Sequence, residues 1–259
     1  MENTAEKAVE RAILTMHDNL GEPLTIDDMA RAAMFSKFHF SRIFRRVTGI
    51  SPGRFLSALR LQEAKRLLTS TSLNVADISL RVGYNSVGTF SSRFTRSVGM
   101  PPTTYRRLGG FDGDIPRDAS RDRATGSVQG RVRATGPVPL GLVFLGLFPD
   151  PLPEGLPVRC TILNGTGSFR LDDVPEGTWY LMSQSVAGGD APAVDAALSL
   201  DHEVHVATSQ PLTVRREQLV QGADLTLSPM RTIDPPVLLA LFNARVDALH
   251  RGSYDALAA

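Results

Sequence analysis

Residues 36–49 read SKFHFSRIFRRVTG, and fifty positions later residues 86–99 read SVGTFSSRFTRSVG. Over positions 27 to 52 this shift gives nine identities in 26. Average residue usage would give about one or two by chance. The chain therefore carries two copies of one module. In each copy the apolar residues recur at helical spacing, which predicts an amphipathic helix behind a shorter one.

Each of these two helices has an apolar face and a polar face. We expect the buried faces to consist of Phe40, Ile43, Phe44 and Val47 in the first copy and of Val87, Phe90, Phe94 and Val98 in the second. In a helix-turn-helix the second helix enters the major groove of DNA, so its polar side chains meet bases and phosphates. We predict base contacts by Phe38, Ser41, Arg42, Thr89 and Ser92, and phosphate contacts by Lys37, Arg45, Arg46, Arg93 and Arg96. Because Arg42 can bond both O6 and N7 of a guanine, we expect the first copy to supply most of the sequence readout.

The charge distribution points to the same partner. Residues 1–108 hold 16 basic and 9 acidic residues, a net charge of +7, whereas residues 109–259 have a net charge of −6. Within residues 29–108 the balance is 14 basic against 2 acidic. A compact segment this basic repels itself unless an anionic partner neutralises it, which favours nucleic acid.

Capping and breaker residues set the helix limits in this half of the chain. Ser51 followed by Pro52 is a typical helix start, and Gly49 a typical stop. We predict helices over 5–20, 26–33, 36–48, 52–68, 75–82 and 86–98, and a short helical turn after Pro102.

Residues 24–108 resemble the DNA-binding domain of the AraC/XylS family. The resemblance is carried by residues 36–46, 49–52, 59–68, 82–84, 90–94 and 99–106. It implies that residues 1–108 form a double helix-turn-helix whose recognition helices enter successive major-groove segments, about one helical turn apart. Two features depart from the family pattern. Ser92 stands where the family usually has arginine, with Arg93 displaced by one position, and the additional domain follows the DNA-binding domain instead of preceding it.

The second half has a different periodicity. Residues 109–126 are rich in glycine and alternating charge, which indicates a linker. Short alternating segments then predict an antiparallel β-sandwich of about seven strands over 127–235. Residues 236–259 are expected to form a terminal helix and tail, with Leu238, Leu241, Phe242, Val246 and Leu249 along one face. The predicted fold class is thus α+β multidomain, and residues 167–181 resemble a hairpin of carboxypeptidase-regulatory-like or transthyretin-like sandwich domains.

Two roles for the second half stay open. It is a small-molecule sensor if the apolar run 140–148 and Trp179 line a pocket, or a homodimerisation module if the terminal helix pairs with a second copy. RNA polymerase is a further candidate partner of a transcription regulator. In both cases double-stranded DNA is the main partner of the chain.

The alternative class is a DNA-targeted enzyme or a DNA-repair methyl acceptor. A methyl acceptor needs a reactive cysteine, but Cys160, the only cysteine, lies in a predicted strand and is expected to be a packing residue. His202 and His205 would point to opposite faces of a strand, and Asp172 and Asp173 fit a turn. We therefore expect no enzyme activity, no cofactor and no metal site. A single cysteine and the lack of a signal peptide or a long apolar stretch predict a cytoplasmic protein without a membrane partner.

Overall fold

A computed structural model describes residues 2–110, 125–136, 140–187 and 204–239 of the chain. The chain divides into two compact units. A helical unit contains Met1–Phe111, Leu152–Gly155 and Arg231–Ala240, and a sheet unit contains Asp112–Pro151, Leu156–Met230 and Leu241–Ala259. The helical unit thus takes in two short segments from much later in the chain, which the predicted boundary at residue 108 does not include.

The described part of the helical unit has seven helices close to the predicted limits. They are α1 (Glu2–Asp18), α2 (Ile26–Ala32), α3 (Lys37–Thr48), α4 (Pro52–Ser70), α5 (Val75–Arg81), α6 (Val87–Val98) and α7 (Pro102–Arg107). The Ser51 side chain accepts a hydrogen bond from the backbone N–H of Arg54 and so caps α4. The pairs α2–α3 and α5–α6 are the two helix-turn-helix units, and the long helix α4 joins them.

Left-handed residues end α3 and α6 and also lie in the two turns. Gly49 after α3 has φ 81° and Gly99 after α6 has φ 100°. In the turn of the second unit Gly83 takes φ 81°, whereas in the first unit Met34 takes φ 61°. Gly83 is also tightly enclosed, since a Cβ atom there would lie 2.5 Å from the carbonyl oxygen of Leu20. The second turn therefore requires glycine, and the first turn is strained.

Aromatic side chains form the centre of the helical core. Phe44 meets both Phe40 and Phe55 edge to face, with ring centroids 5.4 Å apart in each pair. The predicted inner faces are confirmed for Phe40, Ile43, Phe44, Phe90, Phe94 and Val98, which are all buried. Val47 is partly buried. The prediction for Val87 is wrong, because it is the first residue of α6 and its side chain is 40% exposed.

The two late segments complete this core. Leu152, Ile233 and Leu238 are buried in the same apolar cluster as the helices. Lys65 of α4 donates hydrogen bonds to the carbonyl oxygens of Val237 and Leu239, at 3.3 and 3.4 Å. Burial lowers the pKa of the Lys65 ammonium group to about 8.

The described residues of the sheet unit form nine strands. They are β1 (Thr125–Ala134), β2 (Leu140–Phe148), β3 (Arg159–Asn164), β4 (Gly167–Pro175), β5 (Gly177–Ala187), β6 (Val204–Thr208), β7 (Leu212–Val214), β8 (Leu219–Val220) and β9 (Leu225–Pro229). Their order is β3-β2-β5-β6-β9-β1-β4, with β7 on β5 and β8 on β1. The sheet is nearly closed, so the predicted division into two facing sheets stays unconfirmed. The expectation of a wholly antiparallel sheet is wrong, because β1 runs parallel to β8 and to β9.

The inner face of the sheet is filled by aliphatic side chains. Val143, Leu145 and Leu147 of β2 are fully buried in this core, and Trp179 packs against it with its Nε1–H donating to the carbonyl of Pro175 at 2.9 Å. The run 140–148, which was a candidate pocket lining, thus supplies core residues. Asp172 and Asp173 lie near the end of β4, where Asp172 accepts hydrogen bonds from Ser127 and Arg170.

Several predicted features lie partly or wholly outside the described residues. Strand β1 begins at Thr125, inside the predicted linker, and the rest of the linker from 111 to 124 lies outside the described residues. Of the predicted terminal helix, residues 237–239 are not helical, and the remainder lies outside the described residues. The same holds for His202.

The described residues contain neither a candidate membrane span nor a candidate metal site. None of the helices there combines the length and the apolar character needed to span a bilayer. No group of histidine, cysteine, aspartate or glutamate side chains in those ranges could hold a metal ion. Cys160 is partly buried in β3, where it lies opposite Gly146 of the neighbouring antiparallel strand β2.

Candidate nucleic-acid interface

Helix α3 presents a cationic face to solvent. Arg42, Arg45 and Arg46 are exposed on the side opposite the buried Phe40 and Phe44. Within the described residues none of the three arginines forms an ion pair, and Arg42 has only a long contact, 3.4 Å from its Nη2 to Nδ1 of His39. Their charges are therefore available to an anionic partner.

The start of α3 combines an apolar tip with a partly neutralised cation. The Phe38 side chain is 89% exposed, although exposure of so large an aromatic group to water is unfavourable. The Lys37 ammonium lies 3.2 Å from a carboxylate oxygen of Asp27 in α2. The Ser41 hydroxyl donates to the carbonyl of Lys37, so it is partly engaged within its own helix.

A capping box fixes the helix that supports α3. The Thr25 side chain accepts from the backbone N–H of Asp28, and the Asp28 carboxylate accepts from the backbone N–H of Thr25. The hydrogen bonds from Thr25 also lower the pKa of Asp28. The start of α2 is thus satisfied locally.

Helix α6 presents a smaller and less charged face. Gly88, Thr89, Ser92 and Arg96 are all exposed, as predicted for the outward side. The Ser86 hydroxyl accepts from the backbone N–H of Thr89 and so caps the helix. Arg96 lies in the last turn of α6, where a cation is favourable to the helix dipole. This face can contact a duplex through small polar groups but offers one exposed guanidinium.

Arg93 of α6 differs from the other predicted contact residues, because its side chain is only 23% exposed. Its Nη2 lies 3.2 Å from Oε2 of Glu154, and its Nε donates to the Ser57 hydroxyl at 3.3 Å. Glu154 comes from the first of the two late segments of the helical unit. Glu154 could not be predicted from the sequence, because no local pattern relates it to Arg93, 61 positions earlier.

The fold and these two helix faces define a DNA-binding protein of the double helix-turn-helix class. A family model described as a helix-turn-helix domain matches residues 29–108. The transcriptional activator AarP of Providencia stuartii is 32% identical over 98 residues, which cover 38% of this chain and 73% of that protein. The Bacillus subtilis regulator YobQ is 36% identical over 95 residues, which cover 37% of this chain and 39% of that protein.

Among solved structures, a Chromobacterium violaceum regulator with an AraC-type DNA-binding domain is 30% identical. The match covers 40% of this chain and 92% of that one, with a TM-score of 0.39. On the sequence relatives, the chain belongs to the AraC family of helix-turn-helix transcription regulators. It is a DNA-binding regulator, and the relatives named as regulators agree with the prediction that it is not an enzyme. The predicted resemblance of residues 167–181 to transthyretin-like domains stays unconfirmed.

Proposed function

We propose that the chain regulates transcription by binding a specific DNA duplex with α3 and α6 in successive segments of the major groove. The observation that carries the proposal is the face of α3, where three exposed guanidinium groups stand on a helix anchored by buried aromatic side chains. Such a helix holds its charges in a fixed register, which is what readout of base edges requires.

The first unit supplies most of the sequence readout. Arg42 lies near the middle of the polar face, where its fork can meet O6 and N7 of one guanine. Phe38 is placed to rest on a thymine methyl group, which would bury its exposed ring. Ser41 is a further base contact, and Lys37, Arg45 and Arg46 contact phosphates and fix the register.

The second unit mainly anchors the protein on the duplex. Thr89 and Ser92 are exposed and short, so they form hydrogen bonds with bases only where the helix approaches closely. Arg96 contacts a phosphate from the last turn of α6. The charge difference between the two faces supports this division, since α3 exposes three arginines and α6 exposes one.

The sheet unit serves as an interaction module of a cytoplasmic regulator. Its inner face is filled by buried aliphatic side chains, which favours contact through an outer surface over an enclosed ligand site. Homodimerisation is thus the first candidate role, with a small-molecule effector or RNA polymerase as the other candidates. Light scattering of the full chain across concentration tests this, and a monomer at all concentrations would remove dimerisation.

Selection of bound duplexes from a random pool by the full chain tests the DNA-binding proposal. We expect two conserved blocks about ten base pairs apart and an affinity that falls steeply with salt, by a log–log slope of about 0.9 for each phosphate contact. R42A should relax specificity in one block more than T89A does in the other. R131A, which removes an exposed arginine from β1 of the sheet unit, is the matched control and should change neither. Binding without any conserved block would refute sequence-specific recognition.

A further inference from the structure

Glu154 lies at the centre of a polar network beside the second recognition helix. One carboxylate oxygen accepts from Arg54 of α4 at 2.9 Å, and the other accepts from Ser97 at 2.8 Å and from Arg93 at 3.2 Å. The backbone N–H of Gly155 donates to the carbonyl of Ser97 at 2.7 Å. The Glu154 side chain is 17% exposed, so its negative charge is stabilised mainly by these hydrogen-bond partners and less by water.

Comparison of the two copies shows why α6 needs this carboxylate. The fifty-residue shift aligns Arg93 with Ile43 and Ser97 with Val47. Ile43 is buried and Val47 partly buried, so the first copy closes this side of its recognition helix with apolar groups. Ser97 is fully buried in the second copy. A guanidinium and a buried hydroxyl in these places need polar partners, and Glu154 supplies an acceptor to both.

We propose that Glu154 is a positioning residue for α6, and that Arg93 is bound to Glu154 as part of this clamp instead of contacting DNA phosphate. Glu154 fixes the side of α6 next to α4, because Arg54 and Ser57 belong to α4 while Arg93 and Ser97 belong to α6. A residue outside the duplicated module thereby sets the placement of the second recognition helix. The inference rests on the proposed function, since it names what holds one of the two DNA-binding helices.

The charge of Arg93 is the first quantity that separates a clamp from a DNA contact. A residue that neutralises one phosphate contributes about 0.9 to the slope of log affinity against log salt. We expect R96A to lower that slope by about this amount. R93A should weaken binding by displacing α6 but leave the slope as in the wild type. A drop in slope for R93A equal to that for R96A would overturn the proposal.

The second quantity is the affinity contributed by each DNA block, because a displaced α6 should affect only the second block. Affinity is measured for the selected duplex and for versions in which either block is scrambled. E154Q keeps the size of the side chain and removes its charge. We expect E154Q to lose most of the affinity that the second block contributes, roughly tenfold for each 1.4 kcal/mol of lost contact, while discrimination at the first block is retained.

A rescue by the apolar pair of the first copy completes the test. R93I/S97V installs in α6 the residues found at the aligned positions of α3. In this background E154Q should no longer affect the second block, because the two groups of α6 that need the carboxylate, Arg93 and Ser97, are gone and only Arg54 of α4 still binds it. Far-ultraviolet circular dichroism checks that each variant keeps its helices.

The possible results separate the two proposals. If E154Q discriminates both blocks as the wild type does, or if it still weakens binding to the second block in the R93I/S97V background, Glu154 is not a positioning residue for α6. If the wild-type chain binds no duplex specifically, the proposed function fails and this inference fails with it.

Discussion

Replacing Gly83 by alanine should destabilise the helical unit by several kcal/mol. Gly83 has φ 81°, a left-handed conformation that costs an L-residue about 1–2 kcal/mol. The added Cβ would also lie 2.5 Å from the Leu20 carbonyl oxygen and 2.7 Å from the Arg60 guanidinium. That guanidinium donates to the carbonyls of Leu20 and Glu22, at 3.0 and 2.7 Å. Losing one such charge-assisted bond costs about 1.5–3 kcal/mol, so the expected total is about 2.5–5 kcal/mol.

Urea unfolding followed by far-ultraviolet circular dichroism measures this loss, because all helices in the described residues belong to the helical unit. With a slope of about 1–3 kcal/mol per molar urea, the midpoint should fall by about 1 M or more. Trp179, the only tryptophan, lies in β5. Its fluorescence therefore follows the sheet unit in the same samples.

The same substitution at Gly53 is the matched control, with the opposite sign expected. Gly53 lies in the first turn of α4, and no atom lies within 4 Å of an added Cβ. G53A should therefore stabilise the helical unit by about 0.5–1 kcal/mol through a lower entropy of the unfolded chain. A loss of less than about 1 kcal/mol in G83A, or an equal loss in both variants, would refute the steric argument.

Three further predictions concern strain, charge and close approach. M34G should raise the stability of the helical unit by about 0.5–1 kcal/mol, because Met34 is 81% exposed and sits at φ 61°. The folded pKa of Lys65, lowered from 10.5 to about 8, means that the unfolded chain binds more protons above pH 8. Stability should therefore rise with pH by about 2 kcal/mol from about pH 7 to about pH 9.5, and K65M should abolish this rise. G88A should stabilise α6, because alanine favours a helix over glycine and only Ser86 Oγ, at 3.7 Å, lies near an added Cβ. The same variant should weaken DNA binding, because Gly88 is exposed on the face of α6 that is proposed to approach the duplex.

Each of these predictions has a measurement that can contradict it. Urea midpoints for M34G and M34A should differ, because alanine keeps the left-handed strain; equal midpoints would contradict the first. Parallel slopes of stability against pH for the wild type and K65M would contradict the second. Unchanged affinity of G88A for the selected duplex would show that α6 does not approach the DNA closely at this position.

The duplicated helical module was predictable from the sequence because its signals are local. Phe40 and Phe44, like Phe90 and Phe94, lie four residues apart and so face the same side of a helix. Glycine at positions 49 and 99 marks both helix ends. The exposure of Arg42 follows from the same periodicity, which is why the sequence predicts the cationic face of α3.

The features that were missed depend on distant partners. The ion pair of Arg93 was not predicted, because the type and spacing of this residue are those of a surface arginine and its acceptor lies 61 residues away. The repeat itself held a usable signal, since Arg93 aligns with the buried Ile43. Strands β7 and β8 span three and two residues, too few for an alternating pattern. The parallel partners of β1 leave no short-range trace either.

Because two late segments belong to the helical unit, this unit cannot be completed until most of the chain has been translated. Arg231 forms an ion pair with Glu6, 225 residues earlier, and Leu238 is buried in the core of the helices. The ribosome therefore releases both DNA-binding modules well before the residues that close them have been translated. Until then the sites in the helical core that Ile233 and Leu238 fill stay open to water or to chaperones. Regulators halted in translation before residue 231 would thus have recognition helices but an incompletely sealed interior.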